Sequence, residues 1–299
     1  MDIGLRLPPV AGKLGLPAFA QWAADEGFGV IDLPKLTAEN KQILADHGLR
    51  LGSVDLPQPW NALLDPDEAK QDAGLATIEQ ELTAAAALGA KVIFCVLMPP
   101  DAHQPRRRSF EIAQQTLPRL AAVLEAHDLH LAIEGWPGGG PQYPALGCTP
   151  ETLRAIFAAV PSAHLGICFD PSHLVRLGID YQRFLCEFGP RVKHCHGKDT
   201  ELIDEDRYLC GNLDSSFGGK YVCGDRAWRY CIPGEGVVDW IWVMNRLADV
   251  KYTGAMSVEL EDHHYWQTNE LQQLGLSRAL TYLSEYASRV RTDHAKPPL

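Results

Sequence analysis

Short apolar, β-branched runs alternate with amphipathic stretches along this chain. The runs IGLRL (residues 3–7), GVIDL (29–33), RLGSVDL (50–56), KVIFCVL (91–97), HLAIEGW (130–136), HLGICFD (164–170), VKHCHGK (192–198) and AMSVELE (255–261) have the length and make-up of buried strands. Between them apolar residues recur at helical spacing. Leu75, Ile78, Leu82 and Ala85 share one face; Ala113, Leu117, Leu120 and Leu124 share another; Leu276, Leu280 and Leu283 line a third, near residues 271–287. Asp65 before Pro66 and Thr149 before Pro150 read as helix caps. Strands that alternate with helices in this way predict a parallel α/β architecture. The first turn, RLPPVAGKLG, is not GxGxxG, which disfavours a doubly wound nucleotide-binding sheet. A single (β/α)8 barrel over residues 1–290 is therefore expected, with a polar, flexible tail at 291–299.

One connection breaks the rhythm. Residues 199–236 separate the seventh strand from a helix expected near Val237, and they carry Trp228, Arg229, Tyr230 and Pro233. A connection of that length in a compact domain is usually functional, so a lid insertion is expected there.

Strand alternation turns the fold into a chemical expectation. Side chains two apart share a face, which groups Ala132, Glu134 and Trp136 on the fifth strand and Gly166, Cys168 and Asp170 on the sixth. The seventh groups His194, His196 and Lys198, and the eighth Ser257, Glu259 and Glu261. An acidic or imidazole group thus stands near the C-terminal end of each strand, where barrels place their chemistry. Crowded carboxylates repel unless a cation neutralises them. Glu134, Asp170, His196 and Glu259 are accordingly candidate ligands of one divalent metal. Three oxygen donors and one imidazole make a hard site, suited to Mn²⁺, Mg²⁺ or Co²⁺, with Zn²⁺ and Fe²⁺ also compatible. The competing reading gives each acid its own salt bridge. Register at four successive strand ends favours the metal.

Around that set, His173, Lys198, Trp136, Trp228 and Arg229 are candidate substrate contacts, and His194 a candidate support behind His196. Asp55 is a weaker candidate, and Arg106, Arg107 and Arg108 read as a solvated face. Cys210, Cys223 and Cys231 fall in one stretch, but their spacing fits no standard zinc pattern, so free thiols are expected.

Composition narrows the partners. The formal charge of −11 repels nucleic-acid phosphates and anionic membranes. The N-terminus MDIGLRLPPVAG has no basic region followed by an apolar one, and no run of 18 apolar residues occurs, so a cytoplasmic protein is expected.

The segments AIEGW around Glu134, CFDPSH around Asp170 and His173, HCHGKD around His196, SVELED around Glu259, and WRYCIPGEGVVDW (228–240) resemble the xylose-isomerase-like TIM barrel superfamily, specifically its sugar isomerase/epimerase branch. The resemblance is strongest from 130 to 262. It implies that the four ligands hold one divalent ion, usually Mn²⁺, against neighbouring sugar oxygens. It also implies that Glu134 and Glu259 are the catalytic acid/base pair, and that the protein forms homodimers or homotetramers. A Lewis acid on a carbonyl acidifies the adjacent C–H and stabilises an enediolate, so one glutamate can take a proton that the other returns. The expected activity is isomerisation or epimerisation of a sugar, keto-sugar or sugar-like polyol. The same deprotonation with a leaving group on the β-carbon makes a lyase or dehydratase, and a non-catalytic sugar-binding barrel is the third reading. The related endonuclease branch needs further histidines at earlier strand ends, where this chain reads SVDLPQ and CVLMPP.

Overall fold

The computed structural model describes residues 1–288; the tail expected at 291–299 lies outside them. The strands, in chain order, are β1 (Ile3–Arg6), β2 (Val30–Leu33), β3 (Arg50–Asp55), β4 (Val92–Cys95), β5 (His130–Glu134), β6 (Leu165–Phe169), β7 (Val192–Gly197), β8 (Asp199–Leu202), β9 (Trp228–Cys231) and β10 (Met256–Val258). Eight of them close a parallel barrel in the order β1-β10-β7-β6-β5-β4-β3-β2. Each lies inside one of the apolar runs read from the sequence. The chain folds as a (β/α)8 barrel.

Helices pack outside the strands, and the main core fills the layer between the two. The apolar stripes find their places: Leu75, Ile78 and Leu82 lie buried in the helix Glu68–Ala87, and Leu117, Leu120 and Leu124 in the helix Arg106–Ala126. Phe94, Ala132 and Cys168 form a smaller cluster inside the barrel, beneath the mouth. No helix among the described residues is long and apolar enough to cross a membrane.

Local details depart from the sequence reading at three places. Thr149 caps the helix Pro150–Ala159 through a capping box, as read, whereas Asp67 and not Asp65 caps Glu68–Ala87. Asp65 instead accepts the Asp67 backbone N–H, setting up the turn that presents the cap. Arg106, Arg107 and Arg108 do not precede a helix but form its first turn, where Arg107 and Arg108 pair with Glu111. The helix expected near Val237 begins at Trp240, because Asp239 is the residue whose side chain accepts the Trp242 N–H.

The long connection after β7 is not structureless. β8 and β9 pair antiparallel, with Thr200 opposite Tyr230 and Leu202 opposite Trp228, and the helix Asp204–Cys210 lies between them. Asp199 anchors this ribbon. Its Oδ1 accepts N–H groups of Thr200 (2.8 Å) and Val238 (3.1 Å), and its Oδ2 those of Gly234 (3.2 Å) and the Trp240 indole (2.9 Å). An acceptor-only group meets four donors here, so Asp199→Asn turns an amide N–H toward another donor. The variant is expected to lose about 2–3 kcal/mol of stability, read as a lower thermal midpoint, while a wild-type midpoint would refute the anchor.

Candidate metal centre

Each member of the expected quartet is delivered by a strand end. Glu134 closes β5, His196 is the penultimate residue of β7, and Glu259 directly follows β10. Asp170 follows β6 as the N-cap of the helix Pro171–Arg176. Its Oδ1 accepts the Ser172 N–H (2.9 Å) and hydroxyl (2.6 Å), leaving Oδ2 to face the mouth. His196 Nδ1 lies 2.6 Å from Glu134 Oε1, 3.5 Å from Glu259 Oε2 and 3.8 Å from Asp170 Oδ2. The structure brings the four together.

Two further side chains enter the same space. His173 Nε2 is 3.5 Å from both Glu134 Oε2 and Asp170 Oδ2, so one nitrogen of His173 and one of His196 face the carboxylates. Donor atoms of Glu134, Asp170, His173 and Glu259 all lie within 4.8 Å of one another. Lys198 Nζ stands 3.2 Å from Asp170 Oδ2 and 3.0 Å from Glu261 Oε2, and hydrogen-bonds Glu259.

A supporting layer lies behind. His194 Nε2 bonds Asp32 Oδ2 (2.8 Å), and Asp32 Oδ1 accepts the Ser53 N–H (2.7 Å). A Cβ on Gly52 would lie 2.0 Å from Asp32 Oδ1, so only glycine leaves room for that carboxylate. On the other flank Arg6 forks to both oxygens of Asp55 (2.7 and 3.0 Å), reaches Glu259 Oε1 (3.2 Å) and lies over the Phe94 ring at 4.3 Å. Asp32 and Arg6 escaped the sequence reading. The available signal was a lone charge inside each apolar run, GVIDL and IGLRL.

The electrostatics follow. Burial raises the pKa of Glu259, but Lys198, His196 and Arg6 outweigh it and hold the carboxyl well below its usual range. Burial and the charge of Glu259 push Glu134 upward, and His196 and His173 bring it down below the ordinary value. Burial lowers the Lys198 pKa, yet Asp170, Glu259 and Glu261 raise it well above normal. Glu134 and Glu259 are thus both held below the ordinary carboxyl range by the positive groups around them.

The remaining candidates divide. Trp136 and Trp228 line a cavity of about 340 Å³ between the 138–140 glycine loop and the ribbon, together with Arg176, Tyr230 and Glu261. Arg229 points elsewhere: it is buried against Glu201 (2.5 Å) and Asp262 (3.1 Å) and does not line the cavity. Alternation along β9 explains this, since Trp228 and Tyr230 share one face and Arg229 takes the other. Tyr230, singled out in sequence only as part of the lid, contacts the centre directly. Its hydroxyl bonds His173 Nδ1 (2.8 Å) and accepts from Arg176 (3.2 Å), whose guanidinium stacks on Trp228 at 4.4 Å.

A family profile described as "Xylose isomerase-like TIM barrel" matches residues 10–283. The chain belongs to that family. Among curated relatives, the uncharacterized protein YfiH of Bacillus subtilis (strain 168) is 36% identical over 118 residues, 38% of this chain and 36% of that protein. Inosose dehydratase of Bacillus thuringiensis (strain Al Hakam) is 28% identical over 147 residues, 48% of this chain and 45% of that protein. The chain thus spans less than half the length of these curated relatives. Among solved structures, D-psicose 3-epimerase in the presence of D-fructose superposes with a TM-score of 0.69 at 17% identity, covering 96% of this chain and 99% of that one. That likeness is one of fold.

The donor set of this xylose isomerase-like barrel fits a divalent cation. Asp170 Oδ2 is buried and makes no hydrogen bond, its nearest cation being Lys198 at 3.2 Å, and the carboxylates of Glu134, Asp170 and Glu259 outnumber the permanent cations Lys198 and Arg6 beside them. Mn²⁺ at about 100 times its Kd is expected to stabilise the fold by about 2.7 kcal/mol, read as a raised thermal midpoint that EDTA reverses. Asp170→Asn should remove that shift. A midpoint indifferent to Mn²⁺ would count against the centre.

Proposed function

We propose that this protein is a metal-dependent isomerase or epimerase of a sugar, keto-sugar or sugar-like polyol. The observation that carries the reading is the convergence of Glu134, Asp170, His196 and Glu259 at the barrel mouth, with Asp170 Oδ2 buried and making no hydrogen bond. Those residues would hold the ion, for which Mn²⁺ is our choice, and His173 lies close enough to join them. When bound, the ion supplies Lewis-acid polarisation of a substrate oxygen.

The protein's own groups do the rest. β7 and β6 stand between β10 and β5 in the barrel, so Glu259 and Glu134 reach a ligand from two sides. One carboxylate removes a proton from carbon beside the carbonyl, and the other, after taking up a proton from solvent, returns it to the opposite face. Lys198 and His173 can donate hydrogen bonds to the substrate oxygen on which charge develops. We assign the first deprotonation to Glu134. Its nearest cationic partners are imidazoles, which can be neutral, whereas Glu259 sits between Lys198 and Arg6, permanent charges that make it the poorer base.

A second reading is favoured by a specific observation. The cavity of about 340 Å³ under the ribbon leaves room beyond a single reacting carbon centre, and the dehydratase similarity covers 48% of the chain. A substrate with a leaving group on the β-carbon would then undergo elimination after the same deprotonation.

The test is exchange of carbon-bound hydrogen with solvent deuterium, with Mn²⁺ present, on keto-sugars, keto-inositols and keto-glycosides. Exchange is expected with at least one of them. Glu134→Gln and Glu259→Gln should each slow it by about 10²–10⁴-fold, with metal content measured alongside to separate loss of the base from loss of the ion. Epimer as product identifies the first reading, and release of the leaving group the second. A Mn²⁺-loaded protein that exchanges none of these substrates would overturn both.

A further inference from the structure

A groove on the other side of the mouth from the ribbon has no role in the reaction described above. Its volume is about 720 Å³, within the range of small-molecule sites. The walls come from three elements. The segment after β2 gives Pro34, Lys35 and Leu36; the end of β3 and its following loop give Val54, Leu56, Pro57 and Trp60; the helix Glu68–Ala87 gives Gln80, Glu81, Ala84 and Ala85. Most of the lining side chains are apolar, Asp55, Gln58 and Gln80 add polar groups, and the charged pair Lys35–Glu81 (3.0 Å) stands partly exposed at the rim.

The groove is tied to the reacting centre. Asp55, Leu56 and Trp60 line both it and a smaller cavity of about 190 Å³, which also has Arg6, Phe94 and Cys95 in its walls. Arg6 touches Glu259, and the Phe94 ring lies 5.2 Å from that of His196. Arg6 and Phe94 thus form the wall between the smaller cavity and the candidate metal ligands, and the groove begins where that cavity ends. Nothing about a bare monosaccharide needs the larger space: along the wall of Leu36, Val54, Leu56 and Ala85 its hydroxyls would meet no polar side chain, and burying unpaired hydroxyls is unfavourable.

We infer that the substrate carries an apolar substituent, an aryl or alkyl aglycone, which occupies this groove while its sugar lies in the smaller cavity against Arg6 and Phe94, the side chains that contact the metal-binding residues. The inference rests on the sugar reading proposed above and names the substrate class within it. Burial of an aromatic ring between Trp60 and the helix supplies affinity that the small-sugar part lacks, and it fixes the sugar's orientation at the centre.

The experiment compares binding of phenyl and methyl β-glucosides to the Mn²⁺-loaded protein by calorimetry, which needs no turnover. The phenyl compound should bind at least ~10-fold more tightly, the gain expected from removing one ring from water. Ala84→Phe, which fills the groove from an exposed helix position, should bring the ratio toward one. Gln80→Phe, one turn earlier, is the second variant if the first folds poorly. Equal binding of the two glucosides, no binding of either, or a preference that survives both variants would overturn the inference. Deuterium exchange on the matching 3-keto compounds separates this from the parent reading. Exchange without an aryl preference sinks the groove alone, and an aryl preference without exchange sinks the chemistry alone.

Discussion

Buried negative charge at the mouth of the barrel is the constraint around which the rest is arranged. Glu134, Asp170 and Glu259 sit with little access to water, and each ion taken out of water costs several kcal/mol unless it is compensated. The compensation is visible in the neighbours. Lys198 is among the largest fully buried side chains, a position that a lysine occupies only against carboxylates. Arg6 spends its fork on Asp55 and its remaining nitrogen on Glu259. His196 is drawn well above its normal pKa despite a burial that opposes it, through the charges around it, Glu259 and Glu134 included. A cluster that gathers protons and ammonium groups in this way is one into which a divalent cation fits.

That constraint links the ribbon to the centre. Lys198 and Asp199 are adjacent in sequence and face opposite ways. One reaches the carboxylates of the mouth, and the other gathers four donors from the segment that leads to Trp240. Two residues of the ribbon's other strand complete the link, Tyr230 through His173 and Trp228 through Arg176. A rearrangement of the ribbon would therefore be felt at His173 through a single hydrogen bond. The ribbon is thereby tied by direct contacts to the residues around the candidate metal centre.

Most of the fold was legible because barrel strands announce themselves twice, by apolar composition and by spacing. The eight runs and the eight observed strands coincide, with disagreements confined to their ends. The candidate ligands were legible for a related reason: period-two alternation places every second side chain on one face, and the chemistry lies at one end of every strand. What escaped depends on contacts between distant segments. Asp32 and Arg6 looked like isolated charges because their partners, His194 and Glu259, lie 162 and 253 positions further along by number. Arg229 was read as a substrate contact from its place in the lid, but the register of β8 against β9 sets it opposite Glu201. No local pattern predicts an antiparallel ribbon inside a connection rich in Gly and Asp.

The two readings of the chemistry separate at a point where the ligand set has no say. Both begin with a proton leaving carbon beside a carbonyl, and both need the resulting charge to be held by the same donors. The outcome turns on what lies over the neighbouring carbon. If an acid stands there within reach of a departing oxygen, elimination competes; if apolar walls and an excluded solvent surround it, reprotonation by the second glutamate is faster. In this barrel Glu261 and the Tyr230 hydroxyl border the cavity under the ribbon, whereas Phe94, Leu56 and Trp60 border the cavity on the opposite side. The direction in which a bound sugar presents its β-carbon thus decides the reaction. A ring turned toward the ribbon meets Glu261 and the Tyr230 hydroxyl, and a ring turned toward Phe94 meets an Asp55 carboxylate already held by the Arg6 fork. Reaction type in such a site is a property of the second wall, and the ligands alone do not carry it.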